Sequence, residues 1–231
     1  MKYKFLSNFQ SVKIISSEIK DGSMSLNNEK NKKNQNDFFE KNNIPKPITF
    51  CQQVHKDKVA FISKSGFHKN IDGMFTDKNI TLSIRSADCA PVMFFSKKEN
   101  IIGVLHCGRK SVTSKIISNS LNNLLEEHKL KPSDFEVFLA PHICVKNYEI
   151  KPDILDELKN SKFEKFILEK DGHYFFNLTE AIVSELVQIG VKRENILDCG
   201  IDTYGSQNFF SARQDRNLEI KTFLTVIFKN G

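Results

Sequence analysis

Three short segments each carry a metal-ligating or nucleophilic side chain at the end of an apolar run. They are Gln52-Gln53-Val54-His55, Ala87-Asp88-Cys89-Ala90-Pro91 and Leu105-His106-Cys107-Gly108. At strand ends backbone pairing stops and side chains open onto pockets. Together His55, Cys89 and His106 make a His2Cys set. Three N/S ligands with one position left open is the arrangement of a catalytic zinc, which lowers the pKa of a bound water toward about 7. Spacing alone does not decide the matter. The gaps are 34 residues from His55 to Cys89 and 17 from Cys89 to His106, and a chain with six His and five Cys offers many such triples. The other reading is two hydrogen-bonded core histidines and a small buried thiol. Cys107 follows His106 directly; on an extended segment it faces the opposite way and belongs to the core. Cys51, Cys144 and Cys199 lie in or beside apolar runs and are expected in the core as well.

The elements that must position these residues fill one chain of 231 residues. That length suits a single domain spanning 1–231. With 39% apolar residues the chain can build a core, which excludes global disorder. No stretch approaches 18 apolar residues, and the basic N-terminus lacks the apolar core of a signal peptide, so no membrane partner and a cytoplasmic location are expected. Five cysteines, an odd number with no CxxC pair, argue for reduced thiols. The net charge of +6 is modest, and its densest basic run, Lys30 to Lys33, has no aromatic neighbour before Phe38, so no nucleic acid partner is expected. Oligomeric state is not legible.

Residues 1–20 read as strand pieces through Phe5, Phe9, Val12, Ile14 and Ile15. Residues 21–47 are a polar excursion in which 28–44 reads as a mostly solvated helix. From Ile48 onward short apolar runs suit buried strands: ITFCQQVH, KVAFIS, TLSIRS, PVMFFS, IIGVLH, FEVFLA, HYFFNL, ILDCGI and FLTVIF. Between them the period changes. Residues 111–128 put Val112, Ile116, Ile117, Ser120, Leu121, Leu124 and Leu125 near one helical face. Residues 152–168 read as a helix, and 178–190 as another that ends at Gly190. Strands and helices in mixed order indicate an α/β or α+β fold.

The stretch from Asp72 to Val112 resembles the YfiH-like family, also called DUF152, laccase-domain or multicopper polyphenol oxidase proteins, zinc purine nucleoside phosphorylases, and peptidoglycan editing factors. Matching elements are Gln53-Val54-His55, Asp72 with Thr76, Arg85 with Ala87-Asp88-Cys89 and Pro91, and His106 with Gly108. Ser25-Leu26-Asn27, Ala140-Pro141, Tyr148-Glu149 and Phe210-Ser211 with Arg213 extend the resemblance over most of the chain. The chain departs from the family's usual H-A-G-W-R-G, which reads His106-Cys107-Gly108-Arg109-Lys110-Ser111 here. Asn147 stands where a cysteine is usual, and Gln214 where a second arginine is.

The resemblance implies an α/β/β/α sandwich with mixed sheets, like that of a deamidating bacterial toxin domain. It implies one zinc on His55, Cys89 and His106, and an enzyme acting on purine nucleosides. The reactions would be phosphorolysis of adenosine, inosine, guanosine or methylthioadenosine, and deamination of adenosine. A single His2Cys set cannot hold the several coppers of a laccase, so copper is expected only as a metal bound in vitro. The catalytic candidates are Cys89, His106 and Asp88; Asp88 would move a proton or act as a structural acceptor. Arg85, Arg109, Lys110 and Arg213 are the candidates for phosphate and substrate. Two alternatives stay open. Cys89 and His106 without metal would make a nucleophile–base pair acting on an amide, as in editing a peptidoglycan precursor. A non-catalytic, metal-stabilised binding protein is the other.

Overall fold

A computed structural model describes residues 11–26, 28–96, 98–215 and 219–230, with the side chains of Ser120, Leu121 and Leu124 outside that description. The expected strand residues Phe5 and Phe9, and Asn27 of the Ser-Leu-Asn element, lie outside the described residues.

The short apolar runs form two mixed sheets. The first is built from β1 (Val12–Ser16), β2 (Ile48–Cys51), β4 (Phe67–His68), β6 (Thr81–Ser86) and β14 (Phe223–Lys229), in the order β1-β14-β6-β2-β4. The second has six strands, β3 (Val59–Phe61), β5 (Gly73–Thr76), β7 (Ala90–Ser96), β8 (Ile101–Cys107), β9 (Glu136–Leu139) and β13 (Ile196–Asp198), ordered β13-β9-β7-β8-β5-β3. Strands buried on both faces need no polar alternation, and β7 and β8 are buried at every position. Between the sheets lies one core, where Leu82, Ile84 and Ile227 meet Met74, Met93, Phe95, Ile102, Val104 and Phe138.

Helices close both outer faces. Helix α1 (Glu29–Lys41) is capped by the Asn28 side chain on the Asn31 N–H. It lays Phe38 and Phe39 against Ile15, Leu224, Val226 and Phe228 of the first sheet. The mostly solvated helix expected in this polar stretch is present, with Glu29, Lys30, Lys32, Lys33, Asn36, Asp37, Glu40 and Lys41 exposed; its other face buries Asn31, Gln35, Phe38 and Phe39, and the Gln35 amide donates to the Met24 carbonyl at 2.9 Å. On the other side α2 (Arg109–Thr113), α3 (Ile116–His128) and α5 (Leu178–Gln188) cover the second sheet through Val112, Ile116, Ile117, Ala181, Ile182 and Leu186. The four layers make the expected α/β/β/α sandwich.

Two helix expectations change. The single helix over 111–128 is split by Lys115, whose left-handed φ of 65° separates α2 from α3. The helix over 152–168 is only α4 (Pro152–Leu158); the chain then turns at Asn160, with φ 60°, and Ile167 begins a strand. That strand, β11 (Ile167–Lys170), pairs with β12 (His173–Phe176) in a small third sheet with β10 (Glu149–Ile150). Asp171-Gly172 makes the hairpin, both residues at positive φ, as a two-residue turn with right-handed strand twist requires.

Candidate functional site

Sheet register brings the chemistry together. In the second sheet Ala90 pairs with Cys107 and Gly73 with Leu105. One step beyond each pair, Cys89 stands opposite Gly108 and Asp72 opposite His106, whose N–H donates to the Asp72 carbonyl at 2.7 Å. A Cβ added to Gly108 would lie 2.7 Å from the Cys89 Sγ, so only glycine leaves room for the sulfur. Alternation along β8 sends Cys107 into the core with Val112 and Ile116, and His106 to the other face.

His55 arrives from the first sheet. Beyond β2 the Gln53 side chain brackets residue 85 of β6: its Oε1 accepts from the Arg85 N–H at 3.0 Å and its Nε2 donates to the Arg85 carbonyl at 2.7 Å. The side chain thus prolongs the strand ladder and delivers His55, at φ 57°, into the site. Asp72 receives it. This fully buried carboxylate accepts from the backbone N–H groups of Val54, His55 and Lys56 at 2.9–3.2 Å, and from His106 Nδ1 at 3.0 Å. It ties the two histidines together and, by holding His106 Nδ1, leaves Nε2 to face the Cys89 sulfur as the nitrogen that could ligate a metal. Sequence reading singled out Asp72 only as a motif position. Its role follows from a contact across 34 residues, which no local pattern announces.

The donor atoms of His55, Cys89 and His106 lie within 4.8 Å of one another. The imidazoles meet edge to face, with centroids 4.7 Å apart, and both reach the Cys89 sulfur. Burial alone would raise the Cys89 pKa, but the charge and hydrogen bond of His106, followed by those of His55, bring it down to about 6. Burial alone would lower that of His106, but the Cys89 thiolate and then the Asp72 carboxylate raise it to about 9. The two shifts favour a thiolate beside an imidazolium, and loss of the His106 Nε2 proton to an incoming metal leaves one soft thiolate and two imidazoles. That donor set fits a transition-metal ion such as zinc. Cys51 and Cys199, by contrast, are pushed up to about 12 by burial, and Cys144 to about 11. Cys51 is buried, whereas Cys144 and Cys199 are only partly so; Cys144 sits beside Asp202 rather than in the core.

His55 and Cys89, with buried His106 behind them, open onto a cavity of about 660 Å³, in the size range of small-molecule sites. Val54, Ala87, Ile143, Tyr148 and Ala212 give it apolar wall, and Arg109, Lys110, Lys151 and Arg213 give it positive charge. Asp88 lines it at φ 86°, with both carboxylate oxygens engaged: Oδ1 accepts from the Thr203 hydroxyl and Oδ2 from the Arg213 N–H, each at 2.7 Å. Arg213 lies over the Tyr148 ring, 5.2 Å from its centroid, and donates to the Glu149 carbonyl at 2.7 Å. Buried Arg109 is held by both Glu157 oxygens at 2.9 Å. Lys110 is exposed at the rim. Arg85 is not on the cavity wall. It lies on the outer face of the first sheet, donating to the Cys51 carbonyl at 2.7 Å, because a strand residue one step from Ile84 must face away from the inter-sheet core. Lys151, absent from the sequence candidates, joins the wall as the N-cap of α4.

Residues 21–228 match the family described as multi-copper polyphenol oxidoreductase laccase. The chain belongs to this YfiH-like family. A Campylobacter jejuni member named purine nucleoside phosphorylase is 32% identical over 181 residues, 78% of this chain and 76% of its own. A Clostridium acetobutylicum member of the same name is 26% identical over 201 residues, covering 86% and 83%. Among solved structures, YlmD from Geobacillus stearothermophilus superposes with a TM-score of 0.87 at 21% identity, over 97% of this chain and 94% of that one. YfiH from Bacillus licheniformis gives 0.85 at 21% identity, over 95% and 93%. This YfiH-like chain thus shares their mixed-sheet sandwich. None of its helices, among the described residues, is long and apolar enough to cross a membrane.

Proposed function

We propose that the protein is a zinc-dependent purine nucleoside phosphorylase. The observation that carries this reading is the convergence of His55, Cys89 and His106, two of which, His55 and Cys89, line a cavity with cationic walls. Relatives named for that activity support the substrate class. In phosphorolysis an oxygen of inorganic phosphate bonds to ribose C1′ as the C1′–N9 bond breaks. The purine leaves with the bonding pair and takes up a proton. Zinc held by the three ligands would supply Lewis-acid stabilisation of negative charge.

The chain's own residues do the rest. Lys110 and Lys151 carry no ion pair among the described residues, and with Arg213 they are the cations offered to phosphate. Arg109 is already neutralised by Glu157. Asp88 holds Thr203 and the Arg213 backbone, and so sets the wall that carries Arg213. Adenosine deamination, in which water replaces the 6-amino group and ammonia leaves, is a second reaction of the same pocket. Asp88, the one carboxylate lining it among the described residues, would move the proton. Five free cysteines and soluble substrates suit a cytoplasmic enzyme.

One observation favours a second reading. Asp72, His106 and Cys89 stand in the order of orienting acid, base and nucleophile, which without metal would attack an amide. Metal content of the purified protein, measured beside adenosine turnover with and without phosphate, tests the proposal. Bound zinc with phosphate-dependent release of adenine supports it. A metal-free protein, or a His55→Ala variant that keeps full activity, sinks it in favour of the Cys89–His106 hydrolase.

A further inference from the structure

A second chamber adjoins the first. It has a volume of about 360 Å³ and is lined by Lys146, Asn147, Glu149, Phe175, Tyr204 and Arg213. Arg213 lines both chambers. The catalytic cavity has one aromatic wall residue, Tyr148, whose face is taken by Arg213, and it has no side-chain amide. The second chamber supplies what the first lacks. Tyr204 is 40% exposed and Phe175 half-buried, and neither ring stacks on another aromatic or a cation among the described residues. Open aromatic faces in a concave site are surfaces for a planar ring.

Asp202 builds this chamber as Asp72 builds the metal site. Its Oδ1 accepts from the Cys144 and Tyr204 N–H groups, each at 3.1 Å, and its Oδ2 accepts from Asn147 Nδ2 at 2.6 Å. A carboxylate only accepts, so the orientation of the Asn147 amide follows: one N–H of its Nδ2 is committed to Asp202, and Oδ1 is the acceptor that the residue offers a ligand. The fixed acceptor selects for a ring edge that bears N–H.

We propose that this chamber is the base subsite: a purine ring lies against Tyr204 and Phe175, its N–H-bearing edge on Asn147 Oδ1, with the ribose passing Arg213 toward the cationic cavity. The assignment rests on the nucleoside reading above and adds where the base sits.

The test is binding and turnover of adenosine and of purine riboside, which lacks the 6-amino group, by the zinc-loaded wild type, Tyr204→Ala and Asn147→Ala. Loss of a stacking partner should weaken both nucleosides roughly tenfold in Tyr204→Ala while leaving the KM for phosphate unchanged. Loss of the acceptor should weaken adenosine by about fivefold in Asn147→Ala and leave purine riboside unaffected. A wild type that turns over adenosine while both variants keep its KM overturns the base subsite and leaves the phosphorylase reading standing. Equal weakening of both nucleosides in Asn147→Ala overturns the N–H contact. A wild type that binds neither nucleoside removes the nucleoside reading, and the subsite with it.

Discussion

Asp72→Asn is the perturbation that the geometry resolves most sharply. Oδ1 accepts from the His55 N–H and His106 Nδ1, and Oδ2 from the Lys56 N–H, with the Val54 N–H shared between them. An amide has one oxygen. If it keeps the Oδ1 position, its NH2 faces the Lys56 N–H, donor against donor, in a fully buried place. If it turns over, His55 and His106 lose their acceptor instead. The first arrangement costs less. It gives up a charge-assisted bond and strands a buried donor, about 3 kcal/mol together. The same change loosens the ring of His106 and the backbone of His55, so metal affinity should fall roughly 10–100-fold.

The sign with pH is fixed as well. Burial would raise the Asp72 carboxyl, but the His106 hydrogen bond and the Lys56 and His55 N–H groups hold it below the usual carboxylate range. A depressed folded-state pKa stabilises above the unfolded value, about 3.9, and that contribution is lost as pH falls through the folded value. The stability gap between wild type and Asp72→Asn should therefore be full at neutral pH and close below about pH 4. Urea unfolding of the metal-free proteins across pH gives the gap, and chelator competition gives the zinc affinity. A variant that binds zinc within about twofold of wild type and unfolds at the same urea concentration would refute the reasoning.

Gly108→Ala should cut zinc affinity by at least about tenfold, because the added Cβ strikes the Cys89 sulfur, and should lower stability by about 1 kcal/mol, because alanine is a much poorer helix N-cap than glycine; chelator competition beside thermal unfolding checks it. In metal-free protein at pH 7 Cys89 should be the first thiol alkylated by iodoacetamide, since it is lowered to about 6 while Cys144 stands near 11 and Cys51 and Cys199 near 12. Peptide mapping reads this order, and first reaction at Cys144 would contradict it. His106→Ala should remove the largest stabilising charge and shift the alkylation midpoint upward. Gln53→Ala severs both bonds to the Arg85 backbone and should lower stability by about 2 kcal/mol and zinc affinity several-fold through the freed His55 segment; unchanged values would show that Asp72 alone holds the loop.

Much of the architecture is legible in the chain because local physics writes it there. The runs that became β7 and β8 are too short for helices, and their apolar continuity marks strands buried on both faces, while β6 alternates polar and apolar residues. Helix α5 shows its periodicity, its Asn177 cap on the Glu180 N–H and its closing Gly190. The segment after α4 carries a local signal of its own, the Asp171-Gly172 turn, against a helix running through Phe163 and Phe166 to Leu168. In the fold Phe163 is core but Leu168 is 48% exposed, so that spacing was no helical face.

The site divides along the same line. The residue types, thiol and imidazole at the ends of apolar runs, are a property of the sequence, and they limit the chemistry to metal ligation or nucleophilic attack before any fold is known. Their meeting depends on register: strand pairing sets Cys89 opposite Gly108 and Asp72 opposite His106, while a loop from the other sheet supplies His55. The same long-range contacts turned Arg85 outward and brought Lys151 to the wall. They gave Asp72 and Asp202 their parts in building the two chambers. Periodicity is set by neighbours three or four residues away, but a carboxylate acquires its partners from strands and loops that only the tertiary fold brings within 3 Å.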